Sequence, residues 1–318
     1  MLYAAKMKIP MWLDCCIICR KPAPSARDSG FSEEHVIPKS LGGILSCNFL
    51  CKACNDSFGS SFEAKAKQDP SIRLAISALR DKLPELFEKI ETRQIYSVGT
   101  EIGRLTAYYR KGSITSGGTR LLDGSFLVPD NATAARLGKM LSKDGLDENE
   151  VQSALKVVED GPFEIDLRLT EKISVTKRKA KFAEQDFKNA PFLSPLVALK
   201  IAYEFSVLIV GSPLLEDLPP LNELRRCLRD QDCSSSSFKV ERLFAEDYGT
   251  FHGIGFEGNK PDASIQIRLF GRIAYRVRLV GLRFALDPVF YTHDLSSGQE
   301  DFRLTSNSRL STQSVPTV

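Results

Sequence analysis

The sequence predicts an α+β protein in which a small ββα unit precedes a larger mixed α+β domain. Three observations lead to this fold class. The 318 residues exceed the usual size of a single hydrophobic core, so two domains are expected. Between residues 31 and 58, two short strand-like runs separated by a glycine turn are followed by a helical pattern. Farther along the chain, segments whose apolar residues recur at helical spacing alternate with segments whose apolar residues recur at every second position.

The elements of the N-terminal unit can be assigned in order. Residues 31–38 have the apolar and β-branched content of a strand, which ends at Pro38. Gly42 and Gly43 predict a turn into a second short strand. A helix is expected to start at Cys51 and to continue towards Phe58. This unit is assigned to a first domain of residues 1–68.

The elements after residue 68 are predicted from caps and periodicity. Asp69 followed by Pro70 indicates the start of a helix, and a second helix is expected over 84–91. Residues 196–210 are apolar nearly all round, which predicts a helix buried at the centre of the second domain. Further predictions are hairpins over 95–128, helices over 132–142 and 147–159, a strand pair over 163–182 and strands within 265–284. The second domain is placed at 69–305, and the Ser/Thr-rich residues 306–318 are predicted to be disordered.

The composition excludes several classes of protein. Apolar residues make up 42% and charged residues 26% of the chain, which is typical of a globular protein and not of a disordered one. The net charge of +3 is too small to indicate nucleic-acid binding by itself. No apolar run is long enough for a membrane span, and residues 1–12 lack the features of a signal peptide.

The cysteines are concentrated near the N-terminus, where six of the eight lie between Cys15 and Cys54. Two Cys-x-x-Cys pairs at this separation predict a tetrahedral structural zinc site. The expected ligands are Cys16, Cys19, Cys51 and Cys54, with Cys15 and Cys47 as alternatives that the sequence leaves open. Clustered thiols of this kind indicate a reducing compartment, so a cytoplasmic protein is predicted.

Between the two cysteine pairs lies a group of residues that a structural zinc site does not need. Glu34 and His35 are adjacent, and Asn55 directly follows the last cysteine. Histidine can take a proton from water at neutral pH. Carboxylate and amide oxygens are suitable ligands for Mg²⁺ or Mn²⁺, and such an ion neutralises charge on a phosphate. The residue types therefore indicate metal-assisted phosphodiester hydrolysis.

Residues 15–60 resemble the HNH endonuclease family in its zinc-binding form. The resemblance rests on the two Cys-x-x-Cys pairs, on Glu34-His35-x-x-Pro, on Gly42-Gly43, on Asn48, on Asn55 and on Phe58-Gly59. It implies a ββα-metal module that cuts DNA with one divalent ion and leaves a 5′-phosphate.

The resemblance also implies roles for individual residues. His35 would be the general base that activates water, and Asn48 would orient the loop and the base. Glu34 and Asn55 would be ligands of the catalytic Mg²⁺ or Mn²⁺, with Asn55 in a position where the family often has histidine. Because adjacent residues of a regular strand point to opposite faces, Glu34 and His35 can share a site only where the strand is irregular.

The resulting prediction is a metal-dependent DNA endonuclease of a restriction, phage-defence or mobile-element system. The alternative is a catalytically inactive zinc-ribbon protein that binds nucleic acid or another protein, and a third hypothesis is that the nuclease acts on RNA. The expected partner is nucleic acid, in the first place DNA, and not a membrane. A homo-oligomer and a partner from a defence system are left open.

Overall fold

The computed structural model describes residues 13–22, 31–92, 94–100, 103–110, 112–116, 119–120, 126–128, 139, 149, 163–169, 173–179, 194–232, 236–244 and 248–304. It combines helices with antiparallel sheets, so the predicted α+β fold class is confirmed. In these ranges, no helix is both long and apolar enough to cross a membrane. The helices predicted over 132–142 and 147–159 lie outside the described residues apart from helical Lys139 and Asn149, and the predicted tail 306–318 lies outside them entirely.

The chain groups into two compact units. One consists of Met1–Glu88 together with Leu193–Val318, and the other is Lys89–Phe192. This grouping differs from the division predicted at residue 68, because the C-terminal part of the chain packs with the N-terminal part. That residues 1–68 form a functional module of their own stays a prediction.

The N-terminal part has the strand–turn–strand–helix order that the sequence predicts. Its elements are β1 (Ser32–His35), β2 (Ser46–Leu50), α1 (Lys52–Ser60), α2 (Phe62–Ala66), α3 (Pro70–Ala78) and α4 (Pro84–Ile90). β1 and β2 pair in the antiparallel direction. The predicted cap of α3 is confirmed, because the Asp69 carboxylate accepts a hydrogen bond from the backbone N–H of Ser71 at 2.9 Å.

The turn between β1 and β2 needs its glycines for two different reasons. A short 3₁₀ helix (Lys39–Leu41) ends at Gly42, whose φ of +90° lies in the left-handed region. At Gly43, a Cβ atom would lie 1.9 Å from the carbonyl oxygen of Ile37, so no side chain fits there. The turn therefore fixes how β2 returns alongside β1.

Apart from the end of α4 and the helical residues Lys139 and Asn149, the described part of the second unit consists of strands. They are β3 (Gln94–Thr100), β4 (Gly103–Arg110), β5 (Ser113–Ser116), β6 (Thr119–Arg120), β7 (Phe126–Val128), β8 (Phe163–Leu169) and β9 (Ile173–Lys179). They form two antiparallel sheets with the orders β3-β4-β5 and β6-β7-β8-β9. The predicted hairpins and the predicted strand pair are confirmed.

The C-terminal part places helices against a six-stranded antiparallel sheet of order β10-β13-β12-β11-β14-β15. Its elements are α5 (Pro195–Val210), a 3₁₀ helix (Ser212–Leu215), α6 (Pro219–Asp230), β10 (Phe238–Phe244), β11 (Phe251–Glu257), β12 (Ala263–Leu269), β13 (Ile273–Leu279), β14 (Val289–Asp294) and β15 (Glu300–Leu304). The first twelve residues after Pro195 are buried, as predicted for the most apolar helix. However, α5 contacts α2 of the N-terminal part as well as β10–β13, so it packs against both parts of the same unit.

Candidate active site and metal centre

The four predicted zinc ligands converge. The Sγ atoms of Cys16, Cys19, Cys51 and Cys54 all lie within 4.8 Å of one another, and those of Cys19 and Cys51 are 3.7 Å apart. Four sulfurs at ~2.3 Å from a tetrahedral zinc ion would be ~3.8 Å apart, so this donor set fits structural zinc. The pKa of Cys16 is lowered to about 5, mainly because Cys54 hydrogen-bonds to it, which favours the thiolate that zinc binds. Such an ion would join the two cysteine pairs and supply folding energy.

The first cysteine pair lies in a turn closed by backbone hydrogen bonds. The Cys16 N–H donates to the carbonyl of Lys21 at 2.9 Å, and the Arg20 N–H donates to the carbonyl of Cys16 at 3.0 Å. Arg20 has a φ of +62°, which reverses the chain within the turn. The Ile17 N–H donates to the carbonyl of Phe49, so the turn is attached to β2.

The second cysteine pair lies at the start of α1, where Cys51 is the N-cap residue and Cys54 lies in the first turn. Cys15 and Cys47 are buried and are not members of the cluster. Burial raises the pKa of both thiols, so they remain neutral. Of the alternatives that the sequence leaves open, the geometry favours Cys16 and Cys51.

His35 lies at the end of β1 and is half-buried. Its pKa is lowered, mainly by burial, with Lys39 and Lys200 adding to this effect and Glu33 opposing it. The imidazole is therefore neutral at pH 7, which is the state in which it can accept a proton from water.

Glu34 and His35 do not point to the same side of the strand. Glu34 pairs with Cys47 and His35 with Ser46, so the register is regular at this step, and the irregularity lies between Ser32 and Glu34. Glu34 is only 4% exposed, whereas His35 is half-buried. The irregular strand that would let both side chains share one site is therefore not present at this step.

Instead, the Glu34 carboxylate belongs to a buried charge cluster around Lys200 of α5. The Lys200 ammonium donates to Glu34 Oε1, and it donates to the carbonyl oxygen of His35 at 2.5 Å. The same Nζ lies 2.8 Å from Glu63 Oε1 on α2 and 3.1 Å from Glu204 Oε2 on α5. We call these four side chains, of Lys200, Glu34, Glu63 and Glu204, the Lys200 cluster.

Burial and charge act in opposite directions in the Lys200 cluster. Burial disfavours the charge on Lys200, but the three carboxylates outweigh it and raise the pKa of this lysine. Burial raises the pKa of Glu204 well above its usual value and that of Glu34 to a smaller extent, and Lys200 offsets only part of this. One ammonium therefore serves three carboxylates.

The two asparagines lie on different elements of the ββα unit. The Asn55 side-chain nitrogen donates to the Glu33 carbonyl at 2.9 Å and to the Ser32 hydroxyl at 3.0 Å, so it links α1 to β1. Asn48 is half-buried on β2, in the part of the strand that faces Glu33 at the register shift.

The structure does not place the Glu34 carboxylate in an open divalent-metal site, and a metal-binding role for Asn55 stays a prediction. Mg²⁺ keeps several waters and needs open coordination positions for substrate, whereas the Glu34 carboxylate is buried and paired with Lys200. In the described ranges, the cysteines are also the only group of three or more His, Cys, Asp or Glu side chains with metal-binding spacing. Glu34 is therefore not available as a ligand of an open metal site.

Lys200, Glu63 and Tyr203 were not predicted from the sequence as part of this site. A signal was present, because Lys200 and Glu204 are four residues apart on an otherwise apolar helix and need partners when that helix is buried. The identity of those partners depends on a contact between residues 166 positions apart in the chain.

Residues 16–71 match the family model of the HNH endonuclease. No curated protein and no solved structure matches the chain. The matched segment contains the cysteine cluster, His35, both asparagines and Glu63. The match supports a nuclease of the HNH kind, which acts on nucleic acid.

Proposed function

We propose that the protein is a metal-dependent endonuclease that hydrolyses phosphodiester bonds in DNA, with His35 as the general base. The observation that carries the proposal is the position of His35, which is neutral and half-buried at the end of β1, inside the segment that matches the HNH endonuclease family. A neutral imidazole there can take the proton of an attacking water.

Asn48 and Asn55 support the base in this proposal. Asn55 holds β1 through the Glu33 carbonyl and so fixes the strand that ends in His35. Asn48 lies on the facing strand. Its role in this proposal is to orient the loop and the base. The requirement for Mg²⁺ or Mn²⁺ is part of the proposal, although the Glu34 carboxylate is left out of the metal shell because it contacts Lys200. Structural zinc would be held by the four clustered cysteines, whose spacing supports this part of the proposal.

The experiment is an incubation of supercoiled plasmid with purified protein and Mg²⁺ or Mn²⁺, with His35→Ala prepared in parallel. The wild type is expected to nick or linearise the plasmid only when the metal is present. The variant should not cut, while its zinc content and thermal midpoint stay at the wild-type values. Equal cutting by both proteins would rule out His35 as the base. DNA and RNA of one sequence, compared as substrates, test the choice of nucleic acid.

A second candidate function is binding of nucleic acid or protein by a zinc ribbon that has no catalytic activity. It is favoured by one observation, namely that the Glu34 carboxylate is already paired with Lys200. This function predicts salt-dependent binding of DNA that is little changed in His35→Ala or Asn55→Ala, and no cutting with any divalent metal.

The biological setting is proposed by association with the family and not from the geometry. A restriction, phage-defence or mobile-element nuclease would combine a cutting module with a part that selects the target or senses a signal. A cytoplasmic location suits the four reduced cysteines, and a homo-oligomer or a defence-system partner would be compatible with it.

A further inference from the structure

Lys200 connects three separate parts of the fold through a single ammonium group. It donates to Glu34 on β1 and to the backbone carbonyl of His35, 2.5 Å away, and it contacts Glu63 on α2 at 2.8 Å. Its own helix adds Glu204 at 3.1 Å. A lysine ammonium has three donors and no acceptor, and the Glu34 carboxylate and the His35 carbonyl occupy two of these donors.

The burial of the Lys200 cluster limits which ligands the Glu34 carboxylate can bind. The Lys200 side chain is completely buried and that of Glu34 is 5% exposed. A catalytic divalent ion must be reached by water and by a phosphate of the substrate, which a carboxylate in this position does not allow. The neighbouring Glu33 is exposed, so carboxylate chemistry at the surface does not require Glu34.

We propose that Glu34 is the counter-charge of Lys200 and not a ligand of a divalent metal, and that Lys200 is thereby a positioning residue for His35. The ammonium holds the carbonyl of His35 itself, so the backbone that carries the base is attached to α5. Misplacement of a catalytic group by ~1 Å can cost ~100-fold in rate, so this attachment matters for catalysis. The catalytic part of the inference rests on the proposed nuclease function, whereas the pairing of Glu34 with Lys200 does not.

A double-mutant cycle on thermal stability tests the pairing. The proteins are the wild type, Glu34→Gln, Lys200→Met, Glu34→Gln/Lys200→Met and, as a matched control on the exposed neighbour, Glu33→Gln. Lys200→Met should lower the melting temperature by roughly 10 °C because buried carboxylates lose their counter-charge. Glu34→Gln should also lower it, and the double variant should lose clearly less than the sum of the single losses. Glu33→Gln should melt like the wild type. Additive losses would overturn the proposal.

The affinity for Mn²⁺ distinguishes the two roles of Glu34, because the loss of a purely structural contact does not change it. Binding of Mn²⁺ to Glu34→Gln, followed by electron paramagnetic resonance, should match the wild type within ~2-fold, because removing a true ligand typically costs 10-fold or more. A large loss of Mn²⁺ affinity with an unchanged melting temperature would identify Glu34 as a metal ligand and overturn the proposal. If Lys200→Met does not fold, Glu34→Gln alone still decides. A lower melting temperature with wild-type Mn²⁺ affinity supports the pairing, and the reverse result identifies a metal ligand.

Cutting kinetics then test the positioning role. For both Glu34→Gln and Lys200→Met, kcat should fall by ~10- to 100-fold, while KM for DNA and the half-saturating Mn²⁺ concentration stay unchanged. An unchanged kcat in both variants would overturn the positioning role. If the wild type cuts no nucleic acid, the proposed nuclease function fails and the positioning role fails with it, while the thermal cycle still decides the pairing.

Discussion

The Tyr203 hydroxyl on α5 donates to the carbonyl oxygen of Ile17, 3.1 Å away, inside the turn of the first cysteine pair. These residues are 186 positions apart in the chain. Arg225 of α6 reaches the same hydroxyl at 3.4 Å. Three residues before Tyr203, Lys200 holds the strand of His35. One buried helix therefore contacts both the turn of the cysteine cluster and the strand of the candidate base, so these contacts join the C-terminal part to the ββα unit.

Removing the Tyr203 hydroxyl should loosen the cysteine turn. Tyr203→Phe leaves the Ile17 carbonyl and the Arg225 guanidinium without this partner in a buried place, so we expect the free energy of unfolding to fall by ~1–2 kcal/mol. Urea denaturation measures this loss, and a faster loss of zinc to a chelator should accompany it. Tyr248→Phe, at a half-exposed tyrosine, is the control and should change stability by less than ~0.5 kcal/mol. Equal stability of Tyr203→Phe and wild type would contradict the role of this hydrogen bond.

The assignment of zinc ligands can be tested against the two cysteines that the sequence left open. Cys16→Ala and Cys51→Ala should lose the bound zinc, since each removes one of the four clustered sulfurs. Cys15→Ala and Cys47→Ala are matched controls, because both thiols are buried nearby but lie outside the cluster, and they should keep one zinc ion per chain. Elemental analysis of the purified proteins measures the content. Loss of zinc from Cys47→Ala with retention in Cys51→Ala would reverse the assignment.

Local signals in the sequence were sufficient for the ββα unit. Pro38, the glycine turn and the cysteine pairs each act within a few residues, and they predicted the positions of β1, β2 and α1. The same holds for Asp69 as the cap of α3. Helix α6 was missed, although Leu221, Leu224 and Leu228 recur at helical spacing, because the pair of prolines at its start reads as a loop signal.

The use of Glu34 could not be predicted from the sequence. Its neighbour His35 suggested a shared site, while the pleat of a regular strand separates the two side chains. Which side of the strand is buried depends on Lys200, which approaches from a helix that is distant in the chain. The spacing of Lys200 and Glu204 on an apolar helix implies that both need partners once the helix is buried, but it contains no information on a contact of such long range.

Protonation of His252 should destabilise the protein in mild acid. The His252 Nε2–H donates to the carbonyl of Leu41 at 2.9 Å, and the Phe270 N–H donates to Nδ1 at 3.3 Å, so both ring nitrogens are engaged in the neutral form. Burial lowers the pKa of His252 to about 4, below its value near 6.5 in the unfolded chain. The unfolded state therefore binds the proton more readily, and the contribution to stability is complete above pH 6.5 and is lost as the pH falls towards 4.

The measurement is the free energy of unfolding at pH 7.5 and pH 5 for the wild type and for His252→Gln, whose amide can replace both hydrogen bonds. The wild type should lose about 2 kcal/mol more than the variant between these two values, from the linkage relation. Equal losses in both proteins would show that His252 does not titrate in this range on unfolding.

The pH dependence of cutting tests His35 as the base, given the proposed nuclease function. Only the neutral imidazole accepts a proton, so kcat/KM should fall on the acid side with a midpoint below 6.5, since burial lowers the pKa of His35.

Two exposed neighbours of His35 shift its pKa in opposite directions and provide a matched pair of variants. Glu33→Gln removes a charge that raises this pKa and should move the midpoint to lower pH, whereas Lys39→Gln should move it to higher pH. At constant ionic strength, both variants should keep the wild-type melting temperature. A midpoint that moves in the same direction in both variants, or in neither, would exclude His35 as the group that limits the rate.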